Sequence, residues 1–236
     1  MTVIANEGEA QAWLRDVLGV DAAAMERLAR LATLLIEENQ RQNLVAKGTL
    51  SHVWQRHVVD SAQLLGIVPR GTMPQGAWLD LGTGAGFPGL AIAALEPARA
   101  VTLVDSRRLR TEWLARAASQ LGLQNVTVVL SRVEDLPTQL YSVISARAFA
   151  PLDKLLHLSA RFSTPQTLWL LPKGAKAAHE VEELPASWNH MFHVEQSLTD
   201  PQAGVIVGTL VGQDRAKTKS SMRHTRDLGE VRGAKR

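Results

Sequence analysis

The 236 residues contain no cysteine, so disulfides, thiolate metal sites and any mechanism that needs a cysteine nucleophile are excluded. No apolar run approaches the roughly 20 residues that a membrane-spanning helix requires. The opening stretch, MTVIANEGEA, carries acids and lacks the basic-then-apolar order of a secretory leader. A soluble, cytoplasmic protein is therefore expected. Basic excess is also missing from most of the chain: residues 1–212 hold 18 Lys or Arg against 20 acids. The formal net charge of +3 comes from residues 213–236, where eight Lys or Arg face three acids. That tail has almost no large apolar residues and is expected to be disordered in isolation. Its charge suits a solvated end as well as a polyanion-binding arm.

The chain is 45% hydrophobic, enough to bury the core of one large α/β domain with a modest extension. Up to about residue 75 the apolar spacing is helical. Met25, Leu28, Leu31, Leu35 and Ile36 recur at three and four within 21–42, with Asp21 placed to cap, and Val53, Trp54, Val58, Ala62 and Leu65 do the same within 50–66. Residues 1–75 are read as a helical extension packed on a main domain over 76–212, with 213–236 as the tail. After the Pro/Gly-rich stretch at 68–76, short apolar runs alternate with helices. Strands are expected near 77–81, 101–104, 126–130, 142–146 and 167–171, and helices near 88–95, 108–121, 152–162 and 175–184. Such alternation predicts a parallel sheet covered on both faces. Two last strands, near 190–195 and 204–211, are separated only by a short turn and should be antiparallel.

The sharpest signal is Asp80-Leu81-Gly82-Thr83-Gly84-Ala85-Gly86-Phe87-Pro88-Gly89, which follows the first strand and opens into a helix. Glycines allow the tight turn and the close approach of a ligand, and Pro88 suits the first turn of a helix whose free N–H groups face the loop. A dinucleotide site places its third glycine three residues after the second; here that position is Phe87. A pyrophosphate beside Asp80 would be repelled, whereas S-adenosylmethionine brings a sulfonium and an ammonium that this carboxylate could attract. Its carboxylate end would meet the loop N–H groups around Gly82 and Gly84. Asp105, at the end of the second strand, stands where an acid can hold ribose hydroxyls. After the third strand, Val133 and Glu134 within Ser131-Arg132-Val133-Glu134-Asp135 can supply backbone and carboxylate to an adenine edge.

Two further absences bear on the acceptor. Without cysteine a cytosine-C5 mechanism is excluded, and the Asn/Asp-Pro-Pro-aromatic sequence common in amino-group methyltransferases is replaced after the fourth strand by Ser145-Ala146-Arg147-Ala148-Phe149-Ala150-Pro151. A cation and an aromatic ring suit an acceptor that is nucleophilic without losing a proton, such as guanine N7. Arg147, the candidate catalytic residue, could hold O6 or a phosphate while Phe149 stacks or lines the pocket. Read plainly, Arg147 is a surface ion pair and Phe149 a core residue. Lys173 lies on the same sheet rim. The cluster Arg56, His57, Asp60 and Ser61 reads as a hydrogen-bonded helix face near Trp54, with too few ligands for a metal.

Together the stretches Asn43-Leu44-Val45, Arg56-His57 with Asp60-Ser61, Leu79 to Gly89, Val104-Asp105-Ser106, Ser131 to Glu134, Ala146-Arg147-Ala148 and Lys173-Gly174 resemble the guanine-N7 methyltransferases of 16S rRNA, the RsmG family, long called glucose-inhibited division protein B. The resemblance spans most of 39–174. It implies a Rossmann-like class I S-adenosylmethionine-dependent methyltransferase fold, α/β with a mostly parallel seven-stranded sheet and an N-terminal helical extension. It also implies methylation of a guanine in 16S rRNA or the small ribosomal subunit, with Gly82, Phe87, Val133, Glu134 and Arg147 at donor-binding positions. A monomer without metal is expected. The chain departs from the family in standing Glu38-Asn39 where an early Trp-Asn is usual, and the tail is not part of the common core. Other readings are a small-molecule or protein methyltransferase, a nicotinamide oxidoreductase, which Phe87 and Asp80 disfavour, and a non-catalytic RNA-binding module.

Overall fold

A computed structural model describes residues 3–68 and 71–213; the disorder expected of the basic tail lies outside the described residues. In chain order the elements are α1 (Glu7–Ala12), α2 (Ala22–Glu38), α3 (Asp60–Ile67), β1 (Trp78–Leu81), α4 (Gly89–Leu95), β2 (Val101–Asp105), α5 (Arg108–Gln120), β3 (Val126–Leu130), β4 (Val143–Ala146), α6 (Leu152–Ser159), β5 (Leu168–Lys173), α7 (Ala177–Glu182), β6 (Trp188–His190), β7 (His193–Gln196) and β8 (Gly204–Gln213). The strands lie in the order β3-β2-β1-β4-β5-β8-β6, parallel from β3 to β5 and antiparallel around β8.

The sheet holds eight strands rather than seven, because the single strand expected near 190–195 is broken. β6 and β7 both pair antiparallel with β8, along 210–213 and 204–207 respectively, and so form one interrupted strand on its outer edge. The break has a packing cause. Phe192 turns in to meet Trp169 edge-on with 6.4 Å between ring centroids, and its backbone N–H donates to His190 Nδ1. Opposite the break, Gly208 has φ +149, and a β-carbon there would run into the Met191 carbonyl, so only glycine lets the kinked chain approach.

Helix α2 begins where its sequence says it should, with the Asp21 side chain accepting from Ala24 N–H. It ends at Glu38, four residues short of the expected limit, where the Asn39 side chain accepts from the N–H groups of Leu44 and Val45 and turns the chain. The 50–66 segment is helical but irregular, comprising a 3-10 turn (Lys47–His52), a wide π turn (Trp54–Val59) and α3. Helix α1 was not marked by apolar spacing. It is set by Asn6, which accepts from Glu9 N–H while Glu9 accepts from Ala5 N–H, a reciprocal cap.

These helices do not form a separate body. Leu28, Leu31 and Leu35 of α2 are fully buried in the same cluster as Trp78 of β1, Leu90 of α4 and Leu114 of α5. Burying three leucines contributes about 5–9 kcal/mol, comparable with the whole stability of a typical domain, so the extension folds with the sheet it covers. The opposite face packs Leu79, Leu81, Ile144 and Trp169 under Leu155 and Leu156 of α6.

Candidate active site

Strand order reverses between β1 and β4, and ligands of open α/β sheets bind beyond the C-terminal ends of strands at such a point. The segment after β1 is the glycine loop. Gly82, Gly84 and Gly86 have φ of +65, +57 and +101, conformations that side chains with a β-carbon rarely adopt. Gly89 is required for a different reason: a β-carbon there would collide with Leu103 and approach the Asp80 carboxylate. Helix α4 therefore presses against the sheet and starts at Gly89, with Pro88 one position before it as the cap residue.

Asp80 lies beneath this loop, fully buried. Its carboxylate accepts from Gly89 N–H at 3.1 Å and from the Ser145 hydroxyl at 2.7 Å, and Ser145 in turn accepts from the Trp78 indole. Burial pushes its carboxyl up to about 6, against the pull of those hydrogen bonds and of Arg147. The structure thus places Asp80 as an organiser of the loop, not at its surface.

A cavity of about 300 Å³ opens over the loop, lined by Gly82, Asp105, Val133, Glu134, Phe149 and Lys154 among others. Asp105 Oδ2 accepts from Gly84 N–H at 3.0 Å, and Oδ1 accepts from Arg107 N–H at 2.9 Å and from Arg107 Nε at 3.3 Å, so the carboxylate ties the loop to the end of β2 at the lining of the cavity. Arg161 holds the next turn by donating to the carbonyls of Val133 (2.6 Å) and Glu134 (3.1 Å). The Glu134 carboxyl is held below the usual range by its backbone N–H and by Arg132.

A larger cleft of about 660 Å³ adjoins it, and Ala148, Phe149 and Ala150 line both. Ala148 has φ +52, a strained conformation for alanine that turns the chain sharply after β4. Phe149 consequently lies over Gly82. Lys173 Nζ fixes this shared wall from below, donating to Ala150 carbonyl (2.7 Å) and to Glu180 (2.8 Å), which also accepts from Leu152 N–H. Three cations of the cleft are each matched: Arg56 with Asp200, Arg147 with Asp60 and Lys173 with Glu180.

The structure brings Gly82, Asp105, Val133 and Glu134 together around the smaller cavity, with Gly84 tied to Asp105. Arg147 lines the larger cleft instead. Phe87 is buried behind both, its ring 5.5 Å from His57 and 5.7 Å from the Arg147 guanidinium. The partner of Arg147 was not read from the sequence: Asp60 comes from the helical extension, 87 residues away, and only the RHxxDS cluster hinted at it. Glu180, Thr199 and Asp200 were missed as cleft residues because they carry no motif. Among the described residues no cluster of side chains could hold a metal ion, and no helix is long and apolar enough to cross a membrane.

Comparison with known proteins gives the family and the fold. Residues 24–204 match the family model for rRNA small subunit methyltransferase G. The ribosomal RNA small subunit methyltransferase G of Novosphingobium aromaticivorans is 71% identical over 211 residues, covering 89% of this chain and 91% of that protein. The protein of the same name from Erythrobacter litoralis is 53% identical over 216 residues, covering 92% and 100%. Among solved structures, a mutant of MtNAS in complex with S-adenosylmethionine superposes with a TM-score of 0.52 at 13% identity, over 88% of this chain and 84% of that one. At that identity the likeness concerns the fold alone.

Proposed function

The chain belongs to the rRNA small subunit methyltransferase G family, and we propose that it transfers a methyl group from S-adenosylmethionine to N7 of a guanine in the 16S rRNA of the small ribosomal subunit. We assign it to the cytoplasm, acting as a monomer. The observation that carries the reading is the pair of cavities meeting at one wall, Ala148–Phe149–Ala150, on the rim where the sheet changes direction. A donor held in the smaller cavity and a base in the larger cleft would meet there for an in-line displacement.

The residues fit the donor. Asp105 offers carboxylate lone pairs to ribose hydroxyls, and the Val133–Glu134 turn, clamped by Arg161, offers fixed polar groups to adenine. The glycines keep β-carbons out of the path along the loop. S-adenosylmethionine supplies an electrophilic methyl group on a sulfonium; as the N7 lone pair forms the new C–N bond, the C–S pair returns to sulfur and the positive charge passes to the guanine. No proton moves, so no base is needed. A charge that migrates without changing sign is best served by an electrostatically even site, and the cleft is even: each of its three cations is paired with a carboxylate. Phe149 provides a ring for the base and Arg147 donor groups for its edge or for the donor.

The test is methyl transfer from labelled S-adenosylmethionine to small ribosomal subunits and to naked 16S rRNA from cells lacking the enzyme, with the modified base identified. One N7-methylguanine is expected. Donor binding without incorporation into either RNA form would move the acceptor to a protein or small molecule.

A further inference from the structure

Among the described residues the Arg147 guanidinium is held through Nη1 and Nη2, with no partner on Nε. Nη1 donates to Asp60 Oδ2 at 3.1 Å and to the Arg56 carbonyl at 3.4 Å, and Nη2 lies 3.5 Å from His57 Nδ1. The surroundings settle the role of that imidazole. Thr49 Oγ1 gives its hydrogen to the Ala46 carbonyl and must therefore accept from His57 Nε2, 2.8 Å away, which leaves Nδ1 as the acceptor facing the arginine. Burial first, then Arg147 and Arg56, depress His57 to about 3, so the ring is neutral.

A guanidinium has five N–H groups in a fixed plane. Three are directed at Asp60, the Arg56 carbonyl and His57. The remaining two, on Nε and Nη2, lie side by side on the edge that carries Nε and have no protein partner among the described residues. Parallel N–H groups of this kind match a carboxylate with two hydrogen bonds. Arg147 is about one-fifth exposed and lines the larger cleft, immediately before the wall that ends the smaller cavity at Gly82. A donor whose adenosine lies between Asp105 and Glu134 extends past Gly82 toward this edge.

We propose that Asp60 and His57 are positioning residues that hold Arg147 with its free edge toward the cleft, where it takes the carboxylate at the amino-acid end of the donor. This rests on the reading of the chain as an S-adenosylmethionine-dependent enzyme. It gives the helical extension a share in donor affinity, since both positioning residues come from 54–60. Asp60 is suited to the task because its second oxygen is already occupied by Thr199 (2.9 Å) and Gln63 (3.0 Å). An asparagine has one acceptor oxygen and cannot serve both sides, so Asp60→Asn should release the arginine or turn an N–H toward it.

The experiment measures, by calorimetry on the full chain, the Kd of S-adenosylhomocysteine and of its analogue lacking the carboxylate. The wild type should prefer the carboxylate form by at least about tenfold, as expected for charged hydrogen bonds. In Asp60→Asn and His57→Leu that ratio should fall to within about threefold, and His57→Asn, which restores an acceptor near the Nδ1 position, should recover most of it. A merely structural role would weaken both ligands equally and keep the ratio; that result overturns the proposal. A wild-type ratio near one also overturns it, and a raised KM for RNA in Asp60→Asn would then point to a phosphate on Arg147. If the ratios behave as expected but ribosomal RNA is not methylated, the assignment of the acceptor fails and this one stands.

Discussion

Phe149 lies across Gly82 so closely that a β-carbon on the glycine would come 2.5 Å from the ring Cδ2. The glycine also sits at φ +65, which costs a residue with a β-carbon about 1–2 kcal/mol. Gly82→Ala should therefore weaken S-adenosylhomocysteine binding by about tenfold or more, through both the backbone and the displaced ring. Phe149→Ala in the same chain should recover the part due to the ring. Calorimetric titration of the two single variants and the double variant reads this directly. Strict additivity would show that the ring and the loop do not constrain each other.

Asp105 ties the glycine loop to the end of β2, and on the proposed function it also meets the ligand. It accepts from Gly84 N–H and from Arg107, and it is almost completely buried while lining the smaller cavity. Asp105→Ala removes the carboxylate proposed to accept from the ribose and leaves the Gly84 N–H without its partner. Hydrogen bonds to charged groups are worth about 1.5–3 kcal/mol, so donor affinity should drop by roughly ten- to a hundredfold while the fold, whose core this residue does not fill, is retained. Unchanged affinity with a native circular dichroism spectrum would remove the ribose role.

Asp80 predicts a pH dependence of stability. Its folded value of about 6 is raised above the ordinary 3.8 by burial, so between those values the native state holds more proton than the unfolded chain. Stability from this group is present in full below about 3.8 and is lost as pH rises through about 6. Two units correspond to about 3 kcal/mol. Asp80→Asn removes the titration, so the difference in unfolding free energy between wild type and variant should shift in the variant's relative favour from pH 4 to about 7, even though the variant is less stable because one amide oxygen replaces the two acceptors that serve Gly89 N–H and the Ser145 hydroxyl. Denaturant melts across that range decide it. A constant difference would mean that Asp80 does not titrate there.

The parallel strands and their helices were legible because alternation and period report local burial, and the glycine loop because positive φ and close helix packing demand residues without a β-carbon. Asp105, Val133 and Glu134 were expected from their places after β2 and β3, and the structure puts all three on the lining of the smaller cavity. The partners of Arg147 were not: Asp60 and His57 sit on a helix whose spacing reads as an ordinary packed face, and only the folding of the extension onto the sheet brings them to the end of β4. The same limit hid the split of the last edge strand, because the pull of Trp169 on Phe192 is a contact between distant segments. Asp80 shows the opposite error of scale. Its position before the loop is plain in the sequence, yet its complete burial beneath the loop, bonded to Gly89 N–H and the Ser145 hydroxyl, is not.

Arg147→Ala should abolish methyl transfer, and Arg147→Lys should restore little of it. Lysine keeps the charge beside Asp60 but presents no parallel pair of N–H groups. Single-turnover rates should fall at least about a hundredfold in the alanine variant, as for loss of one well-placed charged donor. Near-normal rates would make this arginine a surface ion pair and no more.

The reaction itself makes the last prediction. Guanine N7 attacks with a free lone pair, and the charge it gains is the one sulfur gives up, so no side chain must take or give a proton. Among the described residues His57 is the one imidazole lining the larger cleft, and at about 3 it is neutral across the working range. A histidine with its ordinary value would titrate near 6.5; this one should not. The single-turnover rate with saturating donor and RNA should therefore be flat from about pH 6.5 to about 8.5, above the Asp80 transition. An inflection with an apparent value near 7, abolished in His57→Asn, would mean that the imidazole changes charge during the cycle. N7 attack without base assistance would then be the wrong description of the chemistry.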